Sequence, residues 1–136
     1  MTPFSLKIVT PDGMEYEGMA EEVIVRTTTG DLGIMAGHIN CVAPLGMGQA
    51  TFIIDGKKRY AACIGGLISV VGGAVTLVPT TFEWAEEIDV ERADRAAQRA
   101  QTVLSTKESG KTDILVAEAK LKRALVRKNV ATYKTK

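Results

Sequence analysis

Five arginines dominate the chemistry this chain can do. Arg92, Arg95 and Arg99 recur at three- and four-residue intervals, and Arg123 and Arg127 are spaced i, i+4. On helices, each set shares a side. Guanidinium groups are permanently charged and forked, so such clusters suit phosphates and carboxylates. The competing reading is a solvated helical face with local pairs such as Glu91–Arg95, and spacing alone leaves both open. Asp31, His38 and Cys41 contain the residue types of a Cys–His–Asp nucleophilic site. No motif accompanies them, and neighbours in a loop need not converge in space. A small hydrolase built on His38 and Cys41 would show activity in the isolated chain. Glu86 and Glu87 are adjacent, point apart on a regular element, and read as a solvated boundary rather than an acid/base pair.

Other chemistries are excluded by what is missing. Gly30, Gly33 and Gly37 do not make the spacing of a phosphate loop, and no Gly-Lys-Ser/Thr follows them. One histidine and two distant cysteines do not assemble a zinc site. Cys41 and Cys63 read as reduced, partly buried thiols. Met1–Lys7 has neither the basic start nor the apolar run of a signal peptide, and no apolar run approaches the ~20 residues that span a bilayer. Tyr133 is the one aromatic residue after Glu86. The basic half therefore lacks a base-stacking platform, and a nucleic-acid partner is not expected.

Composition divides the elements that must position these residues. Of 13 glycines, all but Gly110 precede residue 80, as do all 4 prolines. Formal charge is +1 overall, yet residues 1–85 carry 5 basic and 8 acidic side chains and residues 86–136 carry 12 and 8. By charge alone the basic end suits an acidic partner surface, a nucleotide or a nucleic acid. Two domains are expected, 1–86 and 87–136. The first should be an antiparallel β-sandwich or barrel made of short strands. Ser5–Val9, Glu22–Thr27, Leu32–Met35, Ala50–Ile54, Lys58–Cys63, Leu67–Val71 and Ala74–Val78 are the candidates. Asp55-Gly56 and Gly72-Gly73 have the residue types of two-residue hairpin turns.

The second domain should be an antiparallel hairpin of two helices, each of ~16 residues or ~25 Å. Asp89 is the expected cap of the first, Thr112 or Asp113 of the second. Ala93, Ala96, Ala97, Ala100, Val103 and Leu104 form one apolar stripe. Ile114, Ala117, Leu121, Ala124 and Leu125 form the other. Alanine stripes allow close approach but bury little area, so the hairpin is held less firmly than a leucine-rich one. An element so held can detach or rearrange.

The order of these features resembles the epsilon-subunit family of bacterial F-type ATP synthases over nearly the whole chain. Val9-Thr10-Pro11-Asp12-Gly13 matches the family's opening. Gly30-Asp31-Leu32-Gly33-Ile34, Gly37-His38 and Val42-Ala43-Pro44-Leu45 match its most recognisable segment. Gly65-Gly66, Ile88-Asp89-Val90-Glu91-Arg92-Ala93 and Arg123-Ala124-Leu125-Val126-Arg127 follow in order. The resemblance implies a non-catalytic subunit of the central stalk, peripheral at the cytoplasmic face of the cell membrane. Its sandwich would bind the gamma subunit and the rotor ring of c subunits, with Asp31 towards the ring and His38 near gamma. Its helices would reach the alpha and beta subunits and impede ATP hydrolysis. No cofactor is required, and ATP is implied as a regulatory ligand of the compact hairpin. Glu83, Ile88, Asp89, Arg92, Ala93, Arg99, Arg123 and Arg127 are the implied nucleotide contacts. By the same resemblance, Val116 stands where ATP-binding relatives can carry a further arginine, and the loop between the helices is about one residue longer.

Overall fold

The computed structural model describes residues 1–106 and 110–133. Eight strands precede two α-helices. The strands are β1 (Phe4–Thr10), β2 (Gly13–Ala20), β3 (Glu22–Thr27), β4 (Gly30–Ile34), β5 (Cys41–Pro44), β6 (Met47–Ile54), β7 (Lys57–Val71) and β8 (Ala74–Trp84). A short 3₁₀ turn, Ala85–Glu87, leads to α1 (Val90–Ser105) and α2 (Lys111–Ala131). The chain separates into two compact units, Met1–Trp84 and Ala85–Lys136. The composition change near Glu86 lies just after this division.

The first unit is the β-sandwich expected from the turn-rich half. Its strands pair in the order β2-β1-β8-β7-β6-β3-β4, with β5 added against β7. All pairings are antiparallel except β1 with β8, which run parallel with Leu6 opposite Val75. Alternate residues point inward, as a half-buried strand requires. Phe4, Leu6 and Ile8 from β1 meet Val23 and Val25 from β3, Phe52 from β6, and Val75 and Leu77 from β8 in one core. Phe52, Phe82 and Trp84 pack edge to face with ring centroids 4.9–6.1 Å apart.

Both expected hairpin turns form. Asp55 and Gly56 have φ of 53° and 75°, and Gly72 and Gly73 have 57° and 83°, the double positive φ of a turn whose twist matches the flanking strands. Two expectations are corrected. Lys58–Cys63 and Leu67–Val71 belong to one strand, β7, which passes from its pairing with β6 to its pairing with β5 at Gly65–Gly66. The inward residues are Ala61 and Cys63 before that point and Ile68 and Val70 after it, so the alternation changes phase there. The glycines that look like a strand break are instead an irregularity inside a strand. Second, β2 and β5 were not anticipated. Half of the β2 residues are exposed and only Ala20 is buried, and the strand exists because β1 pairs along its length.

The second unit is the antiparallel helical hairpin. Asp89 caps α1 as expected, its carboxylate accepting from Arg92 N at 3.1 Å. The last turn of α1 is closed by hydroxyls: Thr102, Ser105 and Thr106 donate to the carbonyls of Gln98, Gln101 and Thr102. On α2 the expected cap is displaced. Gly110 occupies the N-cap with extended φ and no side-chain bond, and both Thr112 and Asp113 lie inside the helix. The helix runs through Ala131, beyond the expected ~16 residues, because burial continues at Val130 and Ala131. Leu125 is not part of the stripe; it is 47% exposed. The inter-helix residues 107–109 lie outside the described residues.

Candidate functional site

The hairpin carries a concavity between its two helices. Asp94, near the start of α1, is bridged to Lys128, near the end of α2, at 2.8 Å. That pair fixes an antiparallel register in which Arg99 lies opposite the turn containing Arg123. Ala97 and Ala100 of α1 and Ala117 and Ala124 of α2 are buried, and their small size lets the helices close up. Above this narrow seam runs a groove of about 810 Å³, floored by Ala96, Ala100 and Ala117 and edged by Arg99, Lys120, Arg123 and Arg127. Asp113 is the acidic residue on its wall. Arg123 also donates from Nε to the carbonyl of Ala119 at 3.4 Å, which draws its stem along α2. Four cations against one carboxylate make an anion-attracting groove.

Of the residues implied as nucleotide contacts, Arg99, Arg123 and Arg127 share this groove. The others do not line it. Arg92 is exposed on α1, Ala93 is buried, and Asp89 is engaged as the cap. Ile88 is buried ahead of α1, and Glu83 belongs to β8 of the sandwich. Val116 lines the groove as an apolar residue. Lys120, four residues on, also lines the groove and lies outside the set expected from sequence. Its signal was available: Lys120, Arg123 and Arg127 recur at three- and four-residue spacing on one helical side.

The sandwich places Asp31 and His38 on and beside the edge strand β4. Asp31 faces Arg26 across the β3–β4 ladder, with Arg26 Nε 2.6 Å from Asp31 Oδ1. His38 follows β4 and donates from Nδ1 to the Ile39 carbonyl at 2.8 Å. It lines a shallow pocket of about 360 Å³ with Glu22, Ile24 and Met35. Neither residue bonds to the other or to Cys41, so no nucleophilic array exists here. Cys63 is buried, and burial pushes its thiol up to about 12, which removes it as a nucleophile. No group of three metal-ligating side chains occurs among the described residues. No described helix is long and apolar enough to cross a membrane.

Residues 3–85 match the family model described as ATP synthase, Delta/Epsilon chain, beta-sandwich domain. Residues 86–132 match ATP synthase, Delta/Epsilon chain, long alpha-helix domain. The chain is 41% identical over 134 residues to an ATP synthase epsilon chain of Shouchella clausii, covering 98% of both proteins. It is 45% identical over 131 residues to that of Bacillus velezensis, covering 96% of this chain and 98% of the relative. Among solved structures, the fold superposes on a chain of the Euglena gracilis mitochondrial ATP synthase with TM-score 0.84. That likeness has 22% identity and covers 98% of this chain and 83% of the other.

Proposed function

This chain belongs to the ATP synthase delta/epsilon family as a non-catalytic subunit, and on that premise we propose that it couples and brakes a rotary ATP synthase from its central stalk. The sandwich docks on gamma and on the membrane rotor ring through the edge that carries Asp31 and His38, and transmits torque. The hairpin is the regulatory part. Extended, it reaches the alpha and beta subunits and restrains ATP hydrolysis; folded side by side, it is disengaged. The subunit sits peripherally at the cytoplasmic face of the cell membrane, and it drives no chemistry of its own. Ion translocation and ATP synthesis belong to the whole complex.

The observation that carries this reading is the contrast between the two units. The sandwich has a contiguous core drawn from residues 4–84. The helices meet over alanine, and a thin apolar seam is cheap to separate. The test is a chain ending at Glu87, reassembled with the rest of the enzyme. Coupled synthesis should survive while ATP hydrolysis becomes less restrained. Failure to assemble, or unchanged restraint, would count against the division of labour.

The cationic groove favours one further role, sensing ATP. Arg99 and Arg123 lie on different helices and face one groove only when the helices are paired. A triphosphate held there stabilises the paired form by its differential affinity for the two arrangements. Calorimetric titration of the isolated chain with ATP should show binding that Arg123→Ala and Arg127→Ala each weaken by one to two decades, the effect of losing a contact worth about 1.5–3 kcal/mol. No heat at millimolar ATP would remove the sensing role and leave the mechanical one intact.

A further inference from the structure

Arg26 and Asp31 make a contact that uses only part of each group. Arg26 Nε meets Asp31 Oδ1 at 2.6 Å. The terminal guanidinium nitrogens of Arg26 and Oδ2 of Asp31 make no hydrogen bond among the described residues. Both side chains are about half exposed, at 53% and 56%. The pair therefore turns outward a fork of donors and, beside it, a lone acceptor.

The stem of Arg26 is seated too. It lies over two glycines of the neighbouring segment. A Cβ on Gly48 would stand 2.6 Å from Arg26 Cβ and 3.0 Å from Cγ, and one on Gly46 would stand 3.5 Å from Cγ. Any larger residue at Gly48 would lift the arginine off the sheet. An exposed arginine ordinarily samples many rotamers. Here the glycine floor and the carboxylate remove part of that freedom before a partner arrives, which lowers the cost of docking.

We propose that Arg26 acts with Asp31 as one composite recognition element on the docking edge of the sandwich. The proposal rests on the reading that this edge docks on the rotor ring. The matching partner is a polar loop that offers an acceptor, a carboxylate or backbone carbonyl, to the Arg26 fork and a donor to Asp31 Oδ2. A lone carboxylate would accept any cation in any orientation. The seated pair reads polarity, because donors and acceptor lie in a fixed order along the edge.

The test uses full-length variants and the gamma–c-ring rotor assembly of the same enzyme, stripped of this chain. Asp31→Arg and Arg26→Ala should each weaken attachment about tenfold or more, the scale of one lost charge-assisted contact. Thermal unfolding of either isolated variant should move little, because an exposed pair adds little to stability. Arg26→Lys keeps the charge and loses the fork, so it should recover only part of the affinity. The exchange Arg26→Asp with Asp31→Arg keeps a pair but reverses its order, and should fold normally and still bind poorly. Full binding by that exchange, or by Arg26→Ala or Arg26→Lys, would overturn the composite element while leaving Asp31 its docking role. So would an unfolding temperature that collapses in Arg26→Ala. Undiminished attachment of Asp31→Arg would instead overturn the docking reading on which the proposal rests.

Discussion

Single residues set the fold where the backbone has no alternative. Gly66 has φ +94°, and a Cβ there would stand 2.0 Å from the Val78 carbonyl oxygen. Backbone cannot yield as a flexible side chain does. Gly66→Ala should therefore cost at least about 3 kcal/mol, seen calorimetrically as a fall in Tm on the order of 10–20 °C. Cys63 gives a pH signature. Its folded pKa is raised from 9.0 to about 12 by burial. Between those values the unfolded thiol loses its proton while the folded one keeps it, so stability falls as pH rises through this window. The slope is about 1.4 kcal/mol per pH unit, and Cys63→Ala should remove it from denaturant titrations between pH 9 and 11. The glycine pair at 65–66 was visible in the sequence, but its meaning was not. A Gly-Gly step reads equally as a turn or as a bulge, and only the three strands that pair with β7 decide between them.

At the scale of elements, local chemistry is most legible where the element is held locally. The Asp89 cap and the double positive φ of Asp55-Gly56 and Gly72-Gly73 follow from side-chain hydrogen bonding and from Cβ sterics, which a short sequence window contains. The strand β2 and the start of α2 do not. Pairing with β1 creates the first, and the second begins at a glycine with no capping side chain. The same distinction governs the candidate site. Arginine spacing indicated which side of each helix Arg99, Arg123 and Arg127 share, but the helix register that places Lys120 with them depends on tertiary pairing. The two units should also differ in local stability. The largest buried side chains of α1 and α2 together are alanines and one valine. Backbone amides of both helices should exchange with solvent through openings of lower free energy than those of the β7 core around Ile68 and Val70. Hydrogen exchange followed by mass spectrometry reads this directly, and equal protection would show that the hairpin is not the labile element.

At the scale of the whole molecule, the sandwich core is drawn from residues between Phe4 and Trp84. A chain ending at Glu87 should accordingly keep a cooperative thermal transition and the near-ultraviolet signal of Trp84, whose ring packs against Phe52 and Phe82 with the Arg59 guanidinium 3.7 Å from its centroid. A non-cooperative melt would mean that the first unit does not stand alone. The order of strands was the part of the fold least accessible from sequence, since no local pattern says that β1 lies beside β8. That parallel neighbour has a consequence for how the protein is made. The ribosome delivers β1 first and β8 last among the strands, and at about 5–20 residues per second the gap is on the order of 3–15 seconds. Throughout that delay Phe4, Leu6 and Ile8 have no sheet partner on the β8 side, so the earliest apolar strand is the one most in need of shelter from a chaperone. Nascent chains stalled with residues only up to Val71 outside the exit tunnel should be digested readily by protease. Those extended past Trp84 should resist, because only then can the first strand synthesised be enclosed.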